Sequence, residues 1–409
     1  MSDVSRRPLA LEGIKVVDFT ISAVGPLMTK ALADYGAQVV KVESVHGREL
    51  IRVSAPFKDG IVGLDRSLIY AWTNTNKYSV ALNLNHSRAP EVTKRLVAWG
   101  DIVIENMTPG TMEKWGLGYE ELRKIKPDII MLRASQGGQT GTFAKQPSYG
   151  FQTMALAGFS HFTGWPDREP CGPATAYSDV IAPWFGLSAL LSALDYRRRT
   201  GRGQYIDLSI IEASLMFLTP ALLDFFVNKR IQERNGNRSN AKAPHGAYRC
   251  SGEDQWCVIA VSNDREWKSF CSAIGNPAWT KDAKFSTAIG RKQNEDELER
   301  LIEEWTIGHT PEEVMNRLQA AGVPAGVVQD TMEVFKDPQL RQSGFFRTAN
   351  HPTIGHYASP RQPYILSKSP SDIRMPAPCL GEHNEYVYVK LLGFSDDEFL
   401  KLSEEGVFE

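Results

Sequence analysis

The sequence predicts an α/β protein: a Rossmann-like large domain on a parallel sheet, together with a small α+β domain. Three observations carry this. Apolar, β-branched runs alternate with helix-spaced segments from Ile14 to Arg133. A polar stretch, Arg230–Ala243, then reads as a loop or hinge. From Trp256 onward the texture changes to one short strand followed by helices.

The first element is the run Ile14–Phe19, read as a strand. Gly25 and Pro26 follow, and Pro26 suits the first turn of a helix over Leu27–Tyr35 that stops at Gly36. Gln38–Val42 is a second strand, which completes a right-handed β-α-β unit. The alternation continues with strands at Tyr78–Leu84, Asp101–Glu105 and Asp128–Arg133. Between them lie helices at Ser87–Trp99, with Ser87 as cap and Gly100 as stop, and at Tyr119–Ile125. A long helix over Asp179–Arg199 and a strand at Tyr205–Ser209 close the first part of the large domain, 1–225. The small domain spans 226–330, with helices near Asp264–Ile274, Lys292–Trp305 and Pro311–Ala321. The remainder, 331–409, reads as an extended connection from Asp337 to Pro378 and a helical return to the large domain over Asn384–Ser403.

Composition narrows the function. The 409 residues carry 46 Lys and Arg against 48 Asp and Glu, a net charge of −2. No general grip on nucleic acid or an anionic membrane follows from that balance. The uncharged, apolar stretch Val180–Leu194 is too short to span a bilayer and contains Pro183, so it reads as a buried core helix and no membrane association is expected. The five cysteines are scattered and lack CxxC spacing, which favours a reducing, cytoplasmic location. The N-terminus has no apolar core of the signal-peptide kind. Eight histidines include no HExxH pair, so no metal is expected. A GxSxG nucleophile elbow is absent too.

Two places could carry chemistry. The turn Thr20–Pro26 is neither GxGxxG nor a Walker A loop, yet it puts backbone amides at a helix N-terminus beside the C-terminal edge of a parallel sheet. The second is Asp179, a lone carboxylate at the mouth of an apolar helix. Read locally, it is a helix N-cap. Read functionally, it is a carboxylate with an ordinary pKa of about 3.9, ionised at neutral pH and able to attack without a general base.

The chain as a whole resembles the class III coenzyme A transferases, the family of formyl-CoA transferase and carnitine CoA-transferase. The resemblance runs from Leu11-Glu12-Gly13-Ile14-Lys15-Val16-Val17-Asp18-Phe19-Thr20 through Gly25-Pro26 and Gly36–Glu43. It continues through Asn74-Thr75-Asn76-Lys77, Glu105–Gly110, the TGRGQ motif at Thr200–Gln204 and Leu380-Gly381-Glu382-His383. Asp179 stands 21 residues before Thr200, the interval at which the family places its catalytic aspartate, so the resemblance assigns Asp179 as nucleophile. One departure is Pro183, where the family carries Gly four residues after the aspartate. The implied reaction passes through a mixed anhydride and an aspartyl-CoA thioester at Asp179.

Carried over by position, the coenzyme A site takes in Ser22, Ala23, Val24, Asn74, Lys77, Asn106, Met107, Lys114, Trp115 and Gln136. Lys77 and Lys114 are expected to meet phosphates, and Met107 and Trp115 to flank adenine. Ser44 stands where relatives carry Arg, with Arg48 or Arg52 as the expected substitute. Gly137 and Gly138 are the expected oxyanion donors, with Gln152, Tyr177 and Arg168 as further substrate contacts and Arg133 as another partner for a free carboxylate. The family's mobile glycine run is replaced by Ala243–Tyr248.

No cofactor is expected to be permanently bound; the coenzyme A thioester is substrate. The stretch from Tyr177 resembles succinyl-CoA:benzylsuccinate CoA-transferase subunits of anaerobic aromatic degradation. Succinyl-CoA as donor and benzylsuccinate or another aryl or alkyl dicarboxylate as acceptor are therefore implied. The aromatic neighbourhood of Phe151, Phe159, Phe162, Trp165, Trp184 and Phe185 suits an aryl acyl group. Family membership also implies an interlocked dimer, with an identical partner or, as a heterodimer or heterotetramer, with a similar subunit. Two alternatives stay open: an α-methylacyl-CoA racemase-like isomerase, whose His-Asp pair would fall at Tyr149 and Gly150, and a non-catalytic subunit of a heteromeric transferase.

Overall fold

The computed structural model describes residues 8–47 and 49–409. Six strands form one fully parallel sheet: β1 (Lys15–Asp18), β2 (Gln38–Glu43), β3 (Lys77–Ala81), β4 (Ile102–Glu105), β5 (Ile130–Ser135) and β6 (Tyr205–Ser209). Their order is β3-β2-β1-β4-β5-β6, so the direction of winding reverses between β1 and β4. Such a reversal opens a crevice at the C-terminal ends of the strands, where α/β proteins bind ligands.

Period-two alternation splits the strand residues between two cores. Val17, Val40, Val103 and Met131 face the helix Ala89–Trp99 and the C-terminal aromatic cluster of Tyr388, Phe394 and Phe408. Val16, Val39, Ile102, Ile104 and Leu132 face the helices Val24–Asp34 and Tyr177–Thr200. Both faces of β1 to β5 are covered, which explains why their centres read as apolar runs, while β6 is partly exposed. The motif residue Gly203 is a matter of space: a β-carbon there would stand 2.0 Å from the Ile129 carbonyl oxygen.

The chain forms two compact units. One takes the chain through Ser160, then Gly172–Ile231 and Gln342–Glu409; the other takes His161–Cys171 and Gln232–Arg341. The second unit thus reaches back to claim an 11-residue segment of the expected large domain and extends past 330. Its sheet is antiparallel, ordered β7 (His245–Arg249), β8 (Trp256–Ala260) and β9 (Ala325–Val327). Only β8 was expected. β7 takes up most of the segment that stands in for the family's glycine run.

Several local expectations change. Ser87 does not cap its helix, whose N-cap is Arg88 with no capping side chain. The stretch expected to be extended, Asp337–Pro378, holds a short helix, Pro338–Ser343, and a hairpin of β10 (Phe346–His351) and β11 (Gly355–Pro360). The uncharged stretch around Pro183 sits in a helix of 24 residues. Two helices among the described residues, Tyr177–Thr200 and Ile210–Asn228, are long and apolar enough to cross a membrane by length and composition. The first is in part a core helix, since its Ala182, Leu187, Leu190 and Ala193 belong to the core.

Candidate active site

A cavity of about 310 Å³ opens at the strand-order reversal. It draws on the turn after β1 (Ile21–Val24), the turn after β4 (Asn106–Pro109), the end of β5 (Ala134–Gln136), the segment Gln146–Gly150, and Asp179. Among the described residues, Asp179 is the only charged side chain in the lining.

Asp179 is not the helix cap. The helix Tyr177–Thr200 has Ala176 at the N-cap and no side-chain cap, so Asp179 lies inside the first turn. Its carboxylate accepts one hydrogen bond, from Ser178 Oγ at 3.3 Å, and Ser178 Oγ also donates to the Gly150 carbonyl at 3.1 Å. Burial pushes the Asp179 carboxyl up to about 6, against the small opposing pull of the Ser178 hydroxyl. The ordinary value expected from sequence is thus corrected, because the group is desolvated and no cation pairs with it among the described residues. At pH 7 roughly nine-tenths of the group is still ionised. Pro183 lacks the amide hydrogen that would close the helical bond to the Asp179 carbonyl, so the turn that carries the carboxylate is relieved of one backbone constraint.

The turn after β1 is held by the half-buried Asn106 and the buried Glu49. Asn106 clamps Ile21 through both backbone groups: Ile21 N–H donates to Oδ1 at 2.7 Å and the Ile21 carbonyl accepts from Nδ2 at 2.8 Å. Ser22 N–H donates to Glu49 Oε1 at 2.7 Å. Ser22 is in the left-handed region at φ 63°, unusual for a residue with a side chain. Glu49, absent from the sequence-derived site, is buried and salt-bridged to Lys41 at 3.2 Å. Its role rests on a pairing 27 residues apart that no local pattern signals.

The cavity brings together Ser22, Ala23, Val24, Asn106, Met107, Gln136 and Asp179. Gln136 is distinctive: both atoms of its side-chain amide are buried with no hydrogen-bond partner among the described residues. A buried amide left unpaired costs about 1–3 kcal/mol, and in the cavity lining it is a candidate ligand contact.

Other expected site residues lie elsewhere. Lys77 is fully buried and donates to Asn74 Oδ1 at 2.7 Å, to the Pro26 carbonyl at 3.0 Å and to Asp18 at 3.3 Å. Burial holds its ammonium down to about 7 although Asp18 pulls it upward. Lys77 and Asn74 therefore support the helix Val24–Asp34 from behind and have no reach to a phosphate. Arg52 is equally committed, with bonds to Glu43 at 2.7 and 2.9 Å and to Asp65 at 2.7 Å. Arg133 is buried between Glu105 and Glu113 and is not free for a substrate carboxylate. Arg48 lies outside the described residues.

Trp115 packs against the core and donates Nε1–H to Asn85 at 3.1 Å; it is not among the residues lining the cavity that Met107 lines. Lys114 is exposed at the end of the helix Thr111–Lys114. Gly137 and Gly138 are not in the lining; the following Gln139 N–H is tied to Asp207 of β6 at 3.0 Å, a structural use of that turn. Gln152 accepts from Tyr149 N–H at 3.3 Å and is exposed, as is Tyr177. Arg168 belongs to the second unit, with its guanidinium 5.7 Å from the Trp165 ring centre. None of the six expected aromatic residues lines the cavity.

Comparison with known proteins fixes the family. The model of CoA-transferase family III matches residues 11–384. The chain belongs to CoA-transferase family III. The transferase is 31% identical over 402 residues to succinyl-CoA–D-citramalate CoA-transferase of Chloroflexus aurantiacus, covering 98% of this chain and 99% of that one. It is also 31% identical over 409 residues to the beta subunit of succinyl-CoA–L-malate CoA-transferase from the same organism, covering 99% and 100%. Among solved structures, a CAIB/BAIF family protein from Brucella suis superposes with a TM-score of 0.86 at 30% identity, covering 94% of the transferase and all of that chain. The chain is a family III CoA-transferase and acts on coenzyme A thioesters.

Proposed function

We propose that the protein transfers coenzyme A from succinyl-CoA to a short dicarboxylic acid, with Asp179 as nucleophile. The observation that carries this is the Asp179 carboxylate itself: desolvated, unpaired by any described cation, and set in the same cavity as the Ser22–Val24 turn. Burial strengthens a carboxylate as a nucleophile while leaving it mostly ionised at neutral pH. The named substrates of the relatives support the choice of succinyl-CoA and of a dicarboxylate.

The steps balance without any added reagent. An Asp179 oxygen attacks the thioester carbonyl, the carbon–sulfur bond breaks, and coenzyme A thiolate leaves a mixed anhydride. The thiolate attacks the Asp179 carbonyl, which frees succinate and leaves an aspartyl-CoA thioester. The acceptor carboxylate attacks that carbonyl and expels the thiolate, forming a second anhydride. Thiolate then takes the acceptor acyl group, and Asp179 is restored. Both intermediates hydrolyse if water enters, so a small and largely uncharged cavity suits the chemistry.

Among the described residues no Arg or Lys lines the cavity to meet the acceptor's second carboxylate; Ser135, Gln146, Ser148 and Thr153 offer hydroxyl and amide groups there. With the six expected aromatic residues outside the lining and Tyr149 the one aromatic in it among the described residues, an aliphatic dicarboxylate fits better than benzylsuccinate. For assembly we propose a second chain of the same family, identical or similar, interlocked with this one. It would cover the exposed apolar face of Leu222, Leu223, Phe225, Phe226 and Val227. One relative is itself a named subunit. Native mass spectrometry reads this directly.

The test is intact-protein mass spectrometry after incubation with succinyl-CoA and no acceptor. A coenzyme A adduct that maps to Asp179 and vanishes in Asp179→Asn is expected. Absence of any adduct points to a non-catalytic subunit. An acceptor panel of malate, citramalate, glutarate and benzylsuccinate then ranks the acids, and preference for benzylsuccinate would restore the aryl reading.

A further inference from the structure

Three consecutive residues of the turn after β1 are each gripped by a different side chain, two of them, Lys41 and Glu49, buried. Lys41 Nζ donates to the Thr20 carbonyl at 2.7 Å, Asn106 holds Ile21, and Glu49 holds Ser22. The grip on Ser22 stands apart, because Ser22 is the residue forced into the left-handed region and it lines the cavity. Such a conformation persists only where the surroundings impose it, and it concentrates at functional sites. Glu49 reaches Ser22 with one carboxylate oxygen and Lys41 with the other, so a single side chain joins the strained turn to the charged interior of the sheet. Behind it, Asp18 accepts from Thr20, Thr29 and Lys77.

We infer that Glu49 is a positioning residue for the transfer reaction. Its carboxylate fixes Ser22, and through it the course of Ser22–Val24 along the cavity, so that this stretch is preset for the acyl-CoA before the substrate arrives. The inference rests on the site reading above. It assigns Glu49 two separable duties: reach to the Ser22 N–H, which serves the reaction, and charge toward Lys41, which serves stability.

Two variants separate the duties. Glu49→Gln keeps the length and an acceptor oxygen but loses the charge. Glu49→Asp keeps the charge but falls short of Ser22 by one methylene. On the full-length protein, the readouts are calorimetric affinity for coenzyme A, the rate of adduct formation with succinyl-CoA, and thermal melting. The expected result is a crossover. Glu49→Asp weakens coenzyme A binding and adduct formation by about tenfold or more while melting close to wild type; Glu49→Gln melts lower yet stays within about threefold of wild type in binding and rate. Binding and rate in Glu49→Asp equal to or better than in Glu49→Gln would overturn the inference, as would losses that simply follow the melting temperature in both. Should the wild type form no adduct, the Asp179 reading fails, and the affinity readout alone still decides on Glu49.

Discussion

Gly150 leaves the Asp179 carboxylate the space it occupies: a β-carbon at position 150 would lie 2.6 Å from Oδ2 and 2.7 Å from Cγ, and 2.4 Å from the Ala176 β-carbon. The carboxylate is therefore seated against bare backbone. Gly150 also supplies the carbonyl that orients Ser178, the one hydrogen-bond donor to Asp179. The same closeness bears on the isomerase alternative. A racemase-like site needs a second carboxylate at this position, and no side chain fits there without displacing Asp179.

Gly150→Ala is accordingly expected to cut the rate of adduct formation with succinyl-CoA by about 100-fold, since a displacement of order 1 Å at a reacting group costs that much. Coenzyme A affinity should change far less. Stopped-flow quench with mass detection gives the rate, and calorimetry gives the affinity. An unchanged rate would show that the carboxylate has room the geometry denies it.

The Asp179 carboxyl, raised to about 6 by burial, predicts an acid limb in the pH profile. Only the ionised form attacks, so kcat/KM should fall about tenfold per unit below that value and level off above it. The profile in the free enzyme reports this group. Full activity maintained at pH 5 would mean that Asp179 is better solvated or not the nucleophile.

The same shift makes a statement about stability. The folded pKa lies above the ordinary value of 3.8, so the contribution of this group is complete below about 3.8 and is lost as pH rises through about 6. At pH 7 the ionised carboxylate costs up to roughly 3 kcal/mol. Asp179→Asn removes the charge and should raise the melting temperature at pH 7.5 while abolishing the adduct. The gain should shrink as pH is lowered toward 5. A stabilised, inactive variant is the pattern expected of a group kept in an unfavourable place for its chemistry.

The sheet was legible because apolar, mostly β-branched residues hold the middle of its inner strands, as in Val16-Val17, Val39-Val40 and Ile102-Val103-Ile104. The weaker strands were not: β10 (Phe346–His351) is largely polar, and β7 and β9 need β8 between them to exist at all. Asp179 was legible only through its distance from Thr200, since its immediate surroundings are those of an ordinary helix cap. What makes it a site, Gly150 against its carboxylate and burial around it, depends on residues brought together from 29 positions away in the chain. Lys77, Arg52 and Arg133 look like phosphate or carboxylate ligands in the sequence of an enzyme that handles anions. Each instead neutralises a buried acid of the sheet: Asp18, Glu43 and Glu105. Which anion a cation meets is a tertiary fact.

Arg52 turns this correction into a prediction. Its guanidinium is almost fully buried and bonds to both oxygens of Glu43, to Asp65, to the Tyr70 hydroxyl at 2.5 Å and to the Pro378 carbonyl at 3.2 Å. It therefore ties the end of β2 to the segment that returns from the C-terminal part of the chain. Arg52→Met strips the buried Glu43 charge of its guanidinium and leaves it only the Tyr70 and Ser79 hydroxyls, at 2.9 and 2.8 Å, as hydrogen-bond donors; breaking a buried ion pair in this way costs about 3–5 kcal/mol. The melting temperature should drop by several degrees, and limited proteolysis should open the chain near 378 first. The double variant Arg52→Met, Glu43→Gln removes the stranded charge as well and should recover part of the loss. Affinity of the remaining folded protein for coenzyme A should stay within about twofold of wild type, because the guanidinium has no bond to spare for a phosphate. A large loss of affinity with unchanged melting would instead restore Arg52 to the coenzyme A site.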